Sequence, residues 1–358
     1  MRATSGQSAH ASSRIAIVDT TQRYVTCLGR AAFRTAPRPY APYAADVDLV
    51  RPTADRFEEA LALLRASDEA VLDVSDWTAD ELRDEWDRLD LERDAWLIEL
   101  DGRLAGVAHL LERSGGRFVG DGYVHPERRG RGVGDTILRL LENRALELRP
   151  DWPAGARVVL EAAHLVGDDS APALFSGRGY VRVRSFFRMV IDVTGPQPSP
   201  VWPEGIELRS LDVDRDGPAV HAANEEAFVD EWGHVCRPYD LWKKRTLAVR
   251  RFDPSLVPVA WDGDELAGVA LNYPKRNGDW GWVGTLAVRP PWRRRGLGLA
   301  LLHESFRRFR ATGETTVALG VDVENPTGAT RLYERAGMRV FWQADVWQKE
   351  LRPAEPSM

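Results

Sequence analysis

The sequence predicts an α/β (α+β) protein of two tandem domains, each a mixed central sheet flanked by helices. Three observations predict it. The first is a gap-free internal match. Val124-His125-Pro126-Glu127-Arg128-Arg129-Gly130-Arg131-Gly132-Val133-Gly134 aligns to Val288-Arg289-Pro290-Pro291-Trp292-Arg293-Arg294-Arg295-Gly296-Leu297-Gly298, and repetition at a fixed spacing marks a duplicated unit. The second is a pair of Asp-Gly turns. Asp101-Gly102 precedes Leu104-Ala105-Gly106-Val107-Ala108, and Asp262-Gly263 precedes Leu266-Ala267-Gly268-Val269-Ala270; each reads as a hairpin between apolar strands. The third is length: 358 residues suit two domains, and either half is long enough to bury a core.

Taken in order, residues 1–45 read as an extension. Asp19 is the one acid among them and Ile15-Ala16-Ile17-Val18 the one strand candidate. The stretch lacks the apolar centre of a secretory signal and is not clearly amphipathic. The first domain is expected over 46–194. After its glycine-rich turn, Ile137, Leu138, Leu141 and Leu146 recur at helical spacing, Val158-Val159-Leu160 form a strand, and Leu174 to Gly179 form a helix closed by glycine. A last strand ends near Ile191. Residues 195–204 form a linker stiffened by Pro196, Pro198 and Pro200. The second domain, 205–358, repeats the order with Leu301, Leu302, Phe306 and Phe309, then Val317-Ala318-Leu319, then Leu332 to Gly337, and a last strand ending near Glu350.

A formal charge of −6 and 28% charged residues describe an ordinary, mildly acidic globular chain. It has no general attraction to nucleic acid or to anionic lipid, so neither is expected as a partner. Cys27 and Cys236 are too few and too far apart for a disulfide framework, which points to a reduced, cytoplasmic setting. No apolar run is long enough for a transmembrane helix. No Cys/His spacing suggests a metal.

The glycine-rich turns carry the chemistry. Pro290 and Pro291 stop a strand, because proline lacks an amide hydrogen. Three arginines follow, then Gly296-x-Gly298 as a helix begins. Unpaired amides at a helix start form an anion site, helped by the helix dipole. Glycine admits a phosphate close to the backbone, and arginine adds bidentate donors. The turn is no P-loop, since Gly-Lys-Ser/Thr is missing, and no dinucleotide fingerprint, since the third glycine is missing.

Arg-x-x-Gly-x-Gly, preceded by Val-x-Pro and followed by a Leu-rich helix, resembles the pyrophosphate loop of the GNAT acetyltransferases. Arg293, Gly296 and Gly298 match it in the second copy, and Arg129, Gly132 and Gly134 in the first. The resemblance covers roughly 48–192 and 205–351. It implies two GNAT-type acyl-CoA N-acyltransferase domains, each with a sheet splayed open after its fourth strand and acetyl-CoA in the gap. Backbone groups of Leu286, Ala287 and Val288 would then meet the pantetheine arm. Amides of Arg294, Arg295, Gly296, Leu297, Gly298 and Leu299 would hold the pyrophosphate. Val124 and Arg129, Gly130, Arg131, Gly132, Val133 and Gly134 are the counterparts in the first copy.

The copies then diverge. Asn325-Pro326-Thr327-Gly328-Ala329-Thr330-Arg331-Leu332-Tyr333 resembles the family segment in which Asn touches the cofactor arm and Tyr protonates the departing thiolate. In the first copy Phe175 stands where Tyr333 would be, and no Asn matches Asn325. The resemblance therefore implies turnover in the second copy, and in the first a loop that binds acyl-CoA or survives as a relic. Tyr123 and Tyr180 are the other acids available there. The second copy's fourth strand, Trp282-Val283-Gly284-Thr285-Leu286, has no carboxylate to act as a base. The base is then a water relay or a residue of Glu225-Glu226-Ala227-Phe228-Val229-Asp230-Glu231-Trp232-Gly233-His234, with Glu226 the candidate. Phe228, Asp230 and Trp232 are candidates to hold a cationic amine by charge and ring faces.

The expected activity is direct acetyl transfer from acetyl-CoA to a primary amine of a small molecule such as an amino-sugar, amino acid or antibiotic-like metabolite, in a monomer or homodimer. Tandem members of the family that it resembles include mycothiol synthase and antibiotic-modifying acetyltransferases. The other readings are a non-catalytic acyl-CoA sensor and a protein N-acetyltransferase.

Overall fold

The computed structural model describes residues 47–352 apart from 76, 115, 149–156, 230, 231, 233, 235, 250, 251, 277–279 and 326. The extension with its strand candidate, Cys27 and Asp230 lie outside the described residues. The described chain divides into two compact units, 47–184 with 344–352, and 185–343.

The first unit opens with β1 (Val47–Val50), α1 (Phe57–Leu72) and α2 (Ala79–Trp86). α1 buries Ala60, Leu61, Leu63 and Leu64 at helical spacing. α2 starts at a capping box: Thr78 accepts from the Glu81 amide and Glu81 accepts from the Thr78 amide. β2 (Ala95–Leu100) and β3 (Arg103–Ser114) join through Asp101 and Gly102. Both have positive φ, 54° and 67°, the turn that Asp-Gly predicts. β4 (Arg117–Val124), α3 (Val133–Glu147), β5 (Val158–Leu165) and α4 (Ala171–Gly177) follow. The sheet order is β1-β2-β3-β4-β5. Its pairs are antiparallel except β4 with β5.

The second unit repeats the plan. It contains β7 (Ile206–Ser210), α5 (Val213–Phe228), α6 (Tyr239–Thr246), β8 (Pro258–Asp262), β9 (Glu265–Arg276), β10 (Trp280–Val288), α7 (Leu297–Ala311), β11 (Thr316–Asp322) and α8 (Ala329–Arg335). Here β10 and β11 are the parallel pair, and the rest are antiparallel.

The last strand of each copy leaves its own sequence neighbours. β6 (Val181–Asp192) runs antiparallel to β11, with Phe186 opposite Asp322 and Asp192 opposite Thr316. β12 (Arg339–Arg352) runs antiparallel to β5 from Ala344, opposite Leu165, to Arg352, opposite Val158. Side chains explain the fit. Met189 and Val193 enter the core of Val283, Phe306 and Phe309, and Trp347 enters the core of Phe118, Phe175 and Tyr180. The units are thus not contiguous in sequence, unlike the domains 46–194 and 205–358 expected from the repeat. Among the described residues no helix is long and apolar enough to cross a membrane.

Candidate active site

Each unit has a cleft where its parallel strands part. In the first, β4 and β5 pair at Arg117 with Val159, Phe118 with Leu160 and Val119 with Glu161. Both strands continue past that point without pairing each other. The gap is a cavity of about 340 Å³, lined by Gly122, Val124, Arg129, Gly132, His164 and Phe175 among others. In the second unit β10 and β11 pair only at Gly281 with Val317 and Trp282 with Ala318. β10 is irregular between Val283 and Thr285, then runs on. Leu286, Ala287 and Val288 pair on one side with Ala270, Val269 and Gly268 of β9. Their other edge, facing the gap, is where an extended arm would add as a strand does.

The loops at the cleft mouths have the backbone of an anion cradle. Gly130 and Gly132 have φ of 74° and 85°, and Arg294 and Gly296 have 61° and 89°. α3 starts behind Gly132 and α7 behind Gly296, and no side chain caps either helix. α5, in contrast, is capped by Asp212. The first-turn amides of α3 and α7 therefore have no side-chain cap, and turns of this kind concentrate amide hydrogens on one point.

The second glycine of each motif serves packing. A Cβ on Gly134 would lie 2.8 Å from Leu174 Cδ2, and one on Gly298 would lie 3.0 Å from Leu332 Cδ2. Leu297 and Val133 bury their side chains in the cores, so only their backbones face outward. Arg293 holds the cradle together: Nε donates to Val288 O at 3.0 Å and Nη2 to Ala227 O at 3.2 Å. Arg295 donates to Glu204 O at 3.1 Å. In the first unit Arg131 pairs with Asp101 at 2.9 Å and Arg129 with Asp168 at 3.6 Å.

Asn325 Oδ1 accepts from the amide of Thr327 at 2.8 Å and from its hydroxyl at 2.6 Å. That turn leads through Gly328, with φ of 72°, into α8. Tyr333 is half-buried on α8 against the second core, beside Leu332. Its counterpart Phe175 lines the first cavity and stacks on Trp347 with centroids 5.5 Å apart and planes 10° apart. Tyr180 is sealed in that core, and burial, then Glu142, pushes its phenol far above the usual range. Tyr123 lines the cavity.

At the end of α5, Phe228 is half-buried, as is Trp232 in the turn beyond. Glu226 forms an ion pair with Arg289, whose guanidinium lies over Trp292. Glu225 lies 3.0 Å from His234, and its hydrogen bond pushes the Cys236 thiol up. The described carboxylates of this stretch thus already have partners. Among the described residues no His, Cys, Asp and Glu group is arranged to hold a metal.

One cluster lies outside these motifs. His109 Nε2 lies 3.1 Å from Asp121 and 3.2 Å from Glu85. The two carboxylates share one ring nitrogen, so the contact is ionic rather than a linear hydrogen bond. Burial alone would push the imidazole pKa down; Asp121 and Glu85 more than reverse this and raise it to about 9. The signal available was the repeat itself, which sets Asp121 against Thr285.

The Acetyltransferase (GNAT) family profile matches residues 58–175 and 218–338. Mycothiol acetyltransferase of Thermobispora bispora is 34% identical over 266 residues, 70% of this chain and 82% of that protein. The enzyme of the same name from Geodermatophilus obscurus is 33% identical over 317 residues, 83% of this chain and 94% of that protein. The crystal structure of a GCN5-related N-acetyltransferase from Sphaerobacter thermophilus superposes with a TM-score of 0.81 at 34% identity, covering 88% of this chain and 98% of that one. A tandem GNAT protein from the clavulanic acid biosynthesis pathway shares the fold, with a TM-score of 0.65 at 17% identity over 87% of this chain and 100% of that one. Two splayed clefts, two uncapped helix starts behind arginine-rich loops and a profile match to both copies together assign the chain to the GNAT family of N-acetyltransferases.

Proposed function

We propose that the protein transfers an acetyl group from acetyl-CoA to a primary amine of a small molecule, in a ternary complex, with Tyr333 as general acid. The observation that supports this most is the second cleft: an uncapped α7 behind Gly296, a free edge on β10 and the tyrosine-bearing α8 belong to one unit. Acetyl-CoA would place its pyrophosphate on the amides of 294–299 and its pantetheine along Leu286, Ala287 and Val288. The amine attacks the thioester carbon, the C–S bond breaks, Tyr333 delivers a proton to the sulfur, and the proton shed by the nitrogen passes through water to restore the Tyr333 phenol. Attack gains from positioning both reactants in one cleft. Glu226 is tied to Arg289, so its role in this reading is to fix the α5 end that, with Phe228 and Trp232, borders the acceptor. The names of the relatives, mycothiol acetyltransferases and a clavulanic acid pathway protein, favour a small-molecule acceptor over a protein.

Release of CoA thiol, followed with acetyl-CoA and a panel of amino-sugars, amino acids and aminoglycosides, tests the reading. Tyr333→Phe should lower kcat by about 10²-fold with acetyl-CoA binding retained. An unchanged kcat would remove Tyr333 from the mechanism, and binding without turnover on any amine would favour a sensor.

A further inference from the structure

We propose that Asp168 sets the two clefts apart as acyl-CoA sites: its carboxylate, turned to Arg129 across the mouth of the first cleft, makes that cleft the weaker site for a ligand that carries a pyrophosphate. The proposal rests on the reading of the loops as pyrophosphate cradles and not on Tyr333.

The two copies build one turn from different residues. Asp168 follows the end of β5 at Leu165 as Asn325 follows the end of β11 at Asp322. Asp168 Oδ1 accepts from the Ser170 amide at 3.0 Å and from the Ser170 hydroxyl at 2.5 Å. Asn325 Oδ1 accepts from the amide and the hydroxyl of Thr327 in the same pattern. The side-chain oxygen of either residue type closes such a turn, so the turn does not call for a charge. What differs is the atom left over. In Asn325 it is an amide nitrogen, which donates; in Asp168 it is a second anionic oxygen, which only accepts.

That oxygen faces the cradle. Asp168 Oδ2 lies 3.6 Å from Arg129 Nη2, and both residues line the first cavity together with Gly130 and Gly132. The separation is too long for a hydrogen bond, so the contact is an ion pair. It joins the loop beyond β4 to the loop beyond β5 and so spans the mouth of the gap. Arg293, at the matching place of the second loop, donates instead to the backbone carbonyls of Val288 and Ala227. Another ion pair is common to both copies, Arg131 with Asp101 in the first and Arg295 with Asp262 in the second. At the turn after the parallel strand, the first mouth has a negative charge where the second has a neutral amide.

A pyrophosphate on the amides behind Gly132 would share Arg129 with this carboxylate and lie near it. The like charges repel, and part of the attraction of Arg129 is already spent on its partner. The uncharged pantetheine arm meets neither cost. The first cleft thus selects by charge: it disfavours the nucleotide end of acyl-CoA and is indifferent to the arm.

Calorimetry on the full chain tests this, with each cleft read by itself. Gly296→Trp blocks the second cradle and leaves the first. In that background Asp168→Asn should tighten acetyl-CoA binding at least ~10-fold. S-acetylpantetheine, which has the arm without the pyrophosphate, should bind as before. Gly132→Trp blocks the first cradle, and there the reciprocal Asn325→Asp should weaken acetyl-CoA binding by a similar factor. Asn closes the turn in one copy and Asp in the other, so neither exchange threatens the fold. The proposal is overturned if Asp168→Asn leaves acetyl-CoA binding unchanged or weaker, or if the first cleft takes no acetyl-CoA with or without it. It is also overturned if S-acetylpantetheine tightens equally, since the effect would then be one of shape. A wild-type chain that binds no acetyl-CoA in either cleft would bring down the cradle reading as well; a missing Asp168→Asn effect alone would bring down only this proposal.

Discussion

Arg294 holds φ of 61°, where a side chain crowds the next carbonyl, while Gly130 takes the same place in the first copy at 74°. The strain is of order 1 kcal/mol. Arg294→Gly is expected to raise stability by about 1 kcal/mol in urea unfolding, and to weaken acetyl-CoA binding, most of all at low salt, because a cation is lost beside the cradle. His109 makes a second prediction. Its folded pKa of about 9 stands above the unfolded 6.5, so the stabilisation is complete below pH 6.5 and disappears as pH rises through 9. The difference amounts to about 3 kcal/mol. Urea midpoints between pH 6 and 9.5 should fall for the wild type and stay flatter for His109→Gln; parallel curves would refute it. At this scale the loop glycines are legible in the sequence because covalent spacing places them. The His109–Asp121 pair is not, because it exists only once β3 and β4 adopt a register that sequence alone leaves open.

Helix α7 reaches α8 through Gly298, and a Cβ there would press on Leu332, next to Tyr333. Gly298→Ala should therefore cost only about 1 kcal/mol of stability, since a leucine tip is able to move. kcat should fall several-fold with KM for acetyl-CoA little changed. A change confined to KM would say that this glycine serves the ligand rather than the helix pair. Among strands, β6 and β12 are readable as strands from their alternation, yet their destination is not. Both copies offer the same kind of edge, and the choice rests on which core takes Met189 and which takes Trp347. Trp347→Ala is expected to destabilise the first unit by about 3 kcal/mol or more. Hydrogen exchange should rise in β5 and α4 and not in β11; a rise in β11 alone would contradict the assignment of this strand.

For the molecule as a whole, two cradles and two clefts predict two acetyl-CoA molecules per chain by calorimetry. Gly296→Trp should remove one and Gly132→Trp the other; a single site lost with Gly296→Trp would leave the first cleft without a donor. The duplication itself is plain in the sequence, and so is half of its asymmetry, Phe175 against Tyr333. The other half, Asp168 against Asn325, is hidden because the loop before α8 is longer than the one before α4, and it acquires meaning only when both residues are seen to close the same turn. The exchange of last strands has a consequence for biosynthesis. Domains near the amino terminus ordinarily fold first as a chain emerges. Here β5 has no outer neighbour until residues 344–352 have left the ribosome. The half made first is finished last, and through most of translation it presents an unpaired edge, the feature by which nascent chains join one another.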